Sequence, residues 1–336
     1  MELVSGQKYL YYCGLEKLIR REEASMLSGR KIVIIGAGHV GSHCAYALAI
    51  QGICEEIILL DIDQVKAESH AMDIADSVCF LGSSVTVRTG DYEDCKDADM
   101  IVISAGVPRL PGQTRLDTLG ASLECMKEIL THLEKIEIPG IIITISNPAD
   151  IIADYIRKGT GLPRSRVFGT GTSLDTARMR RTVGDLCGID PHSVVGFVLG
   201  EHGDSSMIPF SHLTIFGKDY RELKAENPQR YGGLLEEKIL ERTHLRGMDI
   251  INGKGSTEFG IGYALADMAK AVLMNEHRTL PASVLLEGEY GQKGVHAGVP
   301  CVIGRDGIEQ IIELKLTKEE QRLFDSSCEV IRQYMP

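Results

Sequence analysis

Six residues constrain this chain more than any others: Gly36-Ala37-Gly38-His39-Val40-Gly41, set between the apolar run Lys31–Ile35 and the helical stretch Val40–Gln51. A glycine at the first place permits a tight turn. At the third it lets a phosphate approach the backbone, and at the sixth it lets the new helix close on the strand. The helix then opens with free N–H groups and the positive end of its dipole, which suits a pyrophosphate. An acidic residue downstream gives the pattern more weight. Asp61 ends the next apolar run, Ile57–Leu60, twenty residues after Gly41, where a carboxylate would hold ribose hydroxyls. That carboxylate would repel a 2′-phosphate, so the expected cofactor is NAD rather than NADP.

Short apolar runs of the buried parallel-strand type recur at Val85–Val87, Ile101–Ser104 and Ile141–Ser146, most of them separated by helical segments. Such alternation predicts a doubly wound parallel α/β (Rossmann) sheet. Beyond residue 165 the texture changes. Helical stretches Leu234–Asn252 and Thr257–Asn275 precede β-like segments near Ala282–Glu287, Val299–Ile303 and Gly307–Leu314. A last helix, Lys318–Tyr334, starts after Thr317, with Glu320 completing a capping box. The expected organisation is an N-terminal extension (1–30), a NAD-binding Rossmann domain (31–165) and an α+β substrate domain (166–336), with the active site between the last two. The extension carries Tyr9, Tyr12, Leu15 and Leu18 at roughly helical spacing. It is read either as a docking helix or as a mobile arm.

A net charge of −11 argues against nucleic acid or an anionic membrane as partner. An anionic substrate would therefore need local arginines. Nine cysteines, odd in number and without a C-x-x-C pair, do not form a disulfide framework. With no signal-peptide pattern and no membrane-length apolar run, the expected location is cytoplasmic.

Three further segments carry chemistry. Ser104–Arg115 is rich in glycine and proline, comes after a strand and suits a lid. In Gly169–Arg178, Asp175 and Arg178 stand three apart and so share a helix face. Leu199-Gly-Glu-His202-Gly-Asp-Ser205 sets a histidine among glycines after an apolar strand. Taken singly, each is ordinary: an Asp–Arg pair is commonly a solvated ion pair, and a lone loop histidine is commonly a surface residue.

Together with SNPAD (Ser146–Asp150) and LEGEYG (Leu286–Gly291), these motifs resemble the lactate/malate dehydrogenase superfamily, with the signatures of its L-lactate dehydrogenases, from about Lys31 to the C-terminus. The resemblance implies an NAD-dependent 2-hydroxy acid dehydrogenase, tetrameric or dimeric. His202 would be the acid/base, Asp175 its orienting partner, and Arg178 the clamp on the substrate carboxylate. Arg115 on the lid would polarise the carbonyl, and Asn147 would lie near the reacting oxygen and the nicotinamide ribose. Cofactor contacts would come from Gly36, Gly38, Val40, Gly41, Asp61, Ala105, Gly106, Ser146 and Asn147. The remaining histidines, His39 and His43 included, are read as structural, and no metal is expected. A non-enzymatic NAD-binding protein would show decay of this set, which is present whole. An NAD-dependent glycoside hydrolase would need a Cys/His metal site, and no such cluster is apparent near Asn147.

Substrate choice stays open between two acids. In this superfamily the position six residues before the lid arginine meets the variable end of the substrate, as glutamine in most lactate enzymes and arginine in malate enzymes. Here it is Arg109, whose guanidinium would need the second carboxylate of oxaloacetate as countercharge. Thr257 instead matches the threonine of lactate enzymes. Arg180 matches the arginine used for fructose 1,6-bisphosphate activation, but Val195 stands where a histidine is expected, so such activation is not expected.

Overall fold

Ile32-Val33-Ile34-Ile35 is β-branched throughout, which favours an extended strand with both faces buried. In the computed structural model, which describes residues 29–106 and 119–336, Lys31–Ile35 is buried from end to end as β1. Alternate side chains of β1 serve opposite faces. Ile32 and Ile34 join one core with Cys44 and Leu48, and Val33 and Ile35 join another with Met126, Ile129 and Ile152. The proposed N-terminal helix, Arg109 and Arg115 lie outside the described residues.

Strands β1, β2 (Glu56–Leu60), β3 (Thr86–Thr89), β4 (Met100–Ile103), β5 (Ile141–Thr144) and β6 (Val167–Gly169) are parallel, in the order β3-β2-β1-β4-β5-β6. Helices α1 (His39–Gln51), α2 (Gln64–Val78), α3 (Leu119–Leu133) and α4 (Ala149–Thr160) alternate with them. Strand order reverses between β1 and β4, the place where open α/β sheets take ligands at their C-terminal edge. The second half contributes α5 (Ser173–Cys187), a small sheet of β7 (Val194–Val195), β8 (Thr214–Ile215) and β9 (Lys218–Asp219), and helices α6 (Glu236–Lys254) and α7 (Phe259–Leu273).

The last strands, β10 (Arg278–Glu287), β11 (Lys293–Gly304) and β12 (Gly307–Ile311), do not form a layer of their own. They extend the first sheet to nine strands, antiparallel, through the pair Ser283–Gly169. β10 and β11 both start earlier than the apolar runs suggest. Pro281 and Pro300 stand opposite each other within the ladder, as do Ser283 and Gly298, and these residues interrupt the apolar pattern. β3 starts one residue later than its apolar run, because its pairing with β2 begins at Thr86. The last helix, α8 (Lys318–Arg332), has the expected capping box: Thr317 Oγ1 accepts the Glu320 N–H at 3.2 Å and Glu320 Oε2 accepts the Thr317 N–H at 2.9 Å.

Candidate active site

The glycine turn sits at the C-terminal end of β1, pressed against the end of β4. Gly36 has φ +100°, and a Cβ there would lie 2.4 Å from the Ala105 nitrogen, so no other residue fits. A Cβ on Gly41 would lie 1.9 Å from the Gly36 carbonyl oxygen, which makes the turn a contact of backbone on backbone. Gly38 differs: nothing lies within 4 Å of its missing Cβ. It caps α1 with no side-chain acceptor, so no cap of its own occupies the first-turn N–H groups. Open space beside free donors at a helix start is what a pyrophosphate requires. Val40 comes next, half-buried in the first turn of α1.

Asp61 directly follows β2 and accepts the Ala37 N–H at 2.7 Å and the Asp63 N–H at 3.0 Å. Two carboxylate oxygens offer about four acceptor positions, so ribose hydroxyls can still be taken. Ser146, at the end of β5, donates its hydroxyl to the Ala105 carbonyl at 2.5 Å. Gly36, Ala105 and Ser146 are thus joined across the mouths of three neighbouring strands, with Gly106 and Asn147 exposed beside them. The residues expected to contact the cofactor converge on one rim, and a dinucleotide fits there.

The histidine loop reaches the same rim from the other half of the chain. Thr172 and Thr176 fix its approach. Thr172 Oγ1 donates to the Val198 carbonyl at 2.6 Å, and Thr176 Oγ1 accepts the Val198 N–H at 2.9 Å. Three successive N–H groups of the loop then go to three elements. Gly200 donates to the Gly298 carbonyl of β11 at 2.9 Å, Glu201 to Ser327 Oγ of α8 at 2.8 Å, and His202 to Asp150 Oδ2 of α4 at 2.9 Å. Asp150 is only three residues beyond Asn147, so the imidazole-bearing loop is moored to the segment that ends at the rim.

His202 Nδ1 lies 2.6 Å from Asp175 Oδ2, and Asp175 Oδ1 lies 3.2 Å from Arg178 Nη1. The side chains of His202, Asp175 and Arg178 are 16%, 11% and 11% exposed, far from the solvated ion pair that helix spacing alone would give. Gly247 of α6 faces the guanidinium; a Cβ there would press on Arg178 Nη1 at 3.2 Å. Burial pushes the Asp150 carboxyl up to about 6, against the pull of the Ser283 hydroxyl and the His202 N–H.

Thr257 is half-buried in the loop between α6 and α7, next to Glu258, whose carboxylate is 3.8 Å from His39. Arg180 points a guanidinium nitrogen at the Gly196 carbonyl at 3.4 Å, with burial opposing its charge, and Val195 is 51% exposed. His43 packs edge-on to Phe259, with ring centroids 4.9 Å apart. Among the described residues, no group of three His, Cys, Asp or Glu is placed to hold a metal ion, and no helix is long and apolar enough to cross a membrane.

Two residues of the site, Asp150 and Ser283, are not among those the sequence points to. Asp150 is part of the SNPAD motif, and the signal for it is an acidic residue heading the apolar stretch Ile151-Ile152-Ala153, where a carboxylate needs a buried donor. Ser283 has no comparable signal, because its partner comes from a strand pairing distant in sequence.

Comparison with known proteins agrees with this geometry. Residues 30–169 match the family model described as lactate/malate dehydrogenase, NAD binding domain, and residues 172–335 the one described as lactate/malate dehydrogenase, alpha/beta C-terminal domain. "L-lactate dehydrogenase 3" of Bacillus thuringiensis subsp. konkukian is 44% identical over 306 residues, covering 91% of this chain and 97% of the relative. "L-lactate dehydrogenase" of Fusobacterium nucleatum is 41% identical over 311 residues, 92% and 97% of the two chains. Among solved structures, the minor L-lactate dehydrogenase of Enterococcus mundtii in its ligands-bound form superposes with a TM-score of 0.85 at 37% identity, covering 91% of this chain and 97% of that one.

Proposed function

Because this chain belongs to the lactate/malate dehydrogenase family, we propose that it interconverts pyruvate and L-lactate, with NAD(H) as the hydride carrier. The observation that carries this reading is the contact series Asp150–His202–Asp175–Arg178, none of them more than 16% exposed, beside the residues assigned to the cofactor. The chain is an NAD-dependent oxidoreductase acting on a CH–OH group, and the malate alternative raised by Arg109 is not favoured by relatives named as lactate enzymes.

The labour divides between the two halves of the chain. Residues 31–165 would hold the dinucleotide: Gly36–Gly41 would take the pyrophosphate, Asp61 a ribose, and Ala105, Gly106, Ser146 and Asn147 the nicotinamide side. When bound, NADH supplies a hydride to the carbon of a 2-keto acid. Arg178 takes the substrate carboxylate through two parallel N–H bonds, which fixes both position and orientation. With Nδ1 engaged by Asp175, the proton leaves His202 from Nε2 toward the carbonyl oxygen. Asp175 fixes that tautomer and the orientation of the ring. Arg115, outside the described residues, is assigned to the developing alkoxide, where it would add positive charge. Thr257 is assigned to the far wall of the substrate pocket.

The test is NADH oxidation by the purified protein with pyruvate and oxaloacetate side by side, with and without fructose 1,6-bisphosphate. Pyruvate should be the faster substrate and yield L-lactate, and the sugar phosphate should leave the rate unchanged. Failure to oxidise NADH with either acid would overturn the reading. Cofactor choice has its own test. Asp61→Ser should erode the preference for NADH over NADPH by about 10- to 100-fold, the effect of removing a charged hydrogen-bonding group. An unchanged ratio would remove Asp61 from the cofactor site.

We expect a cytoplasmic homo-oligomer, dimer or tetramer. Tyr46 on α1, Met72 on α2, and Phe259 and Tyr263 on α7 are exposed apolar side chains on neighbouring helices, the kind of surface a second copy would cover.

A further inference from the structure

The acid/base histidine is held by its ring, but it is also held by its backbone, and the second hold has chemistry of its own. Asp150 occupies the first turn of α4, where the helix dipole favours a carboxylate. It is 3% exposed, so its charge is retained at a cost that two hydrogen bonds must offset. Oδ2 accepts the main-chain N–H of His202 at 2.9 Å, and Oδ1 accepts the Ser283 hydroxyl at 2.5 Å. Ser283 is the residue through which β10 pairs with β6, so the carboxylate sits on the seam between the parallel and antiparallel parts of the sheet.

We propose that Asp150 is a positioning residue for His202: a second carboxylate that fixes the histidine's main chain while Asp175 fixes its ring, and whose charge favours the protonated imidazole. This inference rests on the reading of His202 as proton donor. Asp150 begins the helix that comes after Ser146 and Asn147, so it ties the nicotinamide side of the rim to the group that must deliver a proton beside it. A shift of the histidine loop relative to α4 would move Nε2 relative to the reacting oxygen.

Among the described residues, the charged neighbours of Asp150 are few. His202 draws its carboxyl toward ionisation, Glu201 on the same loop opposes this, and the Cys328 thiol of α8 feels its charge. His202 in turn faces Asp175, with Arg178 behind it. Burial pushes the Asp150 carboxyl up to about 6, while the Ser283 hydroxyl, the His202 N–H and the His202 ring favour its ionised form.

Two variants test the proposal, with H202N as reference. D150A leaves the His202 N–H without its acceptor and should lower kcat for pyruvate reduction about a hundredfold, as small misplacements of a reacting group do. NADH affinity, read by fluorescence titration, should hold. D150N keeps an acceptor for the His202 N–H and should recover most of kcat, and its isosteric side chain guards against a failure of D150A to fold. With the charge gone, the limb on which pyruvate reduction falls as pH rises should move to lower pH in D150N. A wild-type kcat in D150A, or an unmoved limb in D150N, overturns the proposal. Lost turnover in H202N beside wild-type turnover in D150A refutes the role of Asp150 alone. Wild-type turnover in H202N refutes the reading of His202 and the proposal with it.

Discussion

Replacing His202 with asparagine is expected to slow pyruvate reduction by about 10²- to 10⁴-fold, the contribution of a positioned general acid. Asparagine is close in size and can still donate an amide hydrogen to Asp175, so the loop contacts through Gly200 and Glu201 are kept. What it lacks is a proton to release toward the carbonyl oxygen. NADH affinity should therefore be nearly untouched, since the glycine turn, Asp61 and Ser146 are on the other half of the chain. The loss should fall on kcat, and steady-state rates combined with an NADH titration separate the two. A variant turning over at the wild-type rate would show that the 2.6 Å contact between His202 and Asp175 is a structural ion pair.

Arg178→Leu is expected to act differently. The guanidinium is the cation proposed to meet the substrate carboxylate, in surroundings where its side chain is 11% exposed and solvent screening is weak. Removing one partner of such a buried, hydrogen-bonded charge pair costs about 3–5 kcal/mol, equivalent to roughly 10²- to 10⁴-fold in kcat/KM for pyruvate. Part of the damage would pass through Asp175, which loses the Arg178 contact at 3.2 Å and keeps His202. Lysine at 178 should recover only a fraction, because a point charge cannot form two parallel bonds with a carboxylate. A full series of 2-keto acids, with a neutral ketone as control, checks this. Equal losses with charged and neutral substrates would mean that Arg178 supports the fold of α5 and does not bind the acid.

The local parts of the fold and site are readable in the residues themselves. β1 announces itself through an unbroken β-branched run, the glycine turn through three glycines of which Gly36 and Gly41 are required by contacts under 3 Å, and Asp61 through its distance from that turn. Thr317 and Glu320 likewise specify the start of α8 within four residues. What escapes is whatever depends on pairing between distant segments. Nothing near Pro281 or Pro300 says that they face each other in one ladder, and nothing near Ser283 says that it completes the bonding of a carboxylate far upstream. Asp175 and Arg178 are intermediate. Helix spacing puts them on one face, but it takes the threonine bonds to Val198 to bring His202 to that face. Thr257 is assigned through the family resemblance, and its place in the loop beside Glu258 is not deducible from spacing.

This chain is expected to pass a hydride from the nicotinamide ring directly to C2 of a small keto acid, with the proton supplied by His202. Single-turnover reduction of pyruvate with NADH doubly deuterated at nicotinamide C4, with mass and NMR analysis of the product, tests it most directly. L-Lactate carrying one deuterium at C2 is the predicted result. Deuterium appearing in solvent, or NADH left intact beside unconsumed pyruvate, would contradict it.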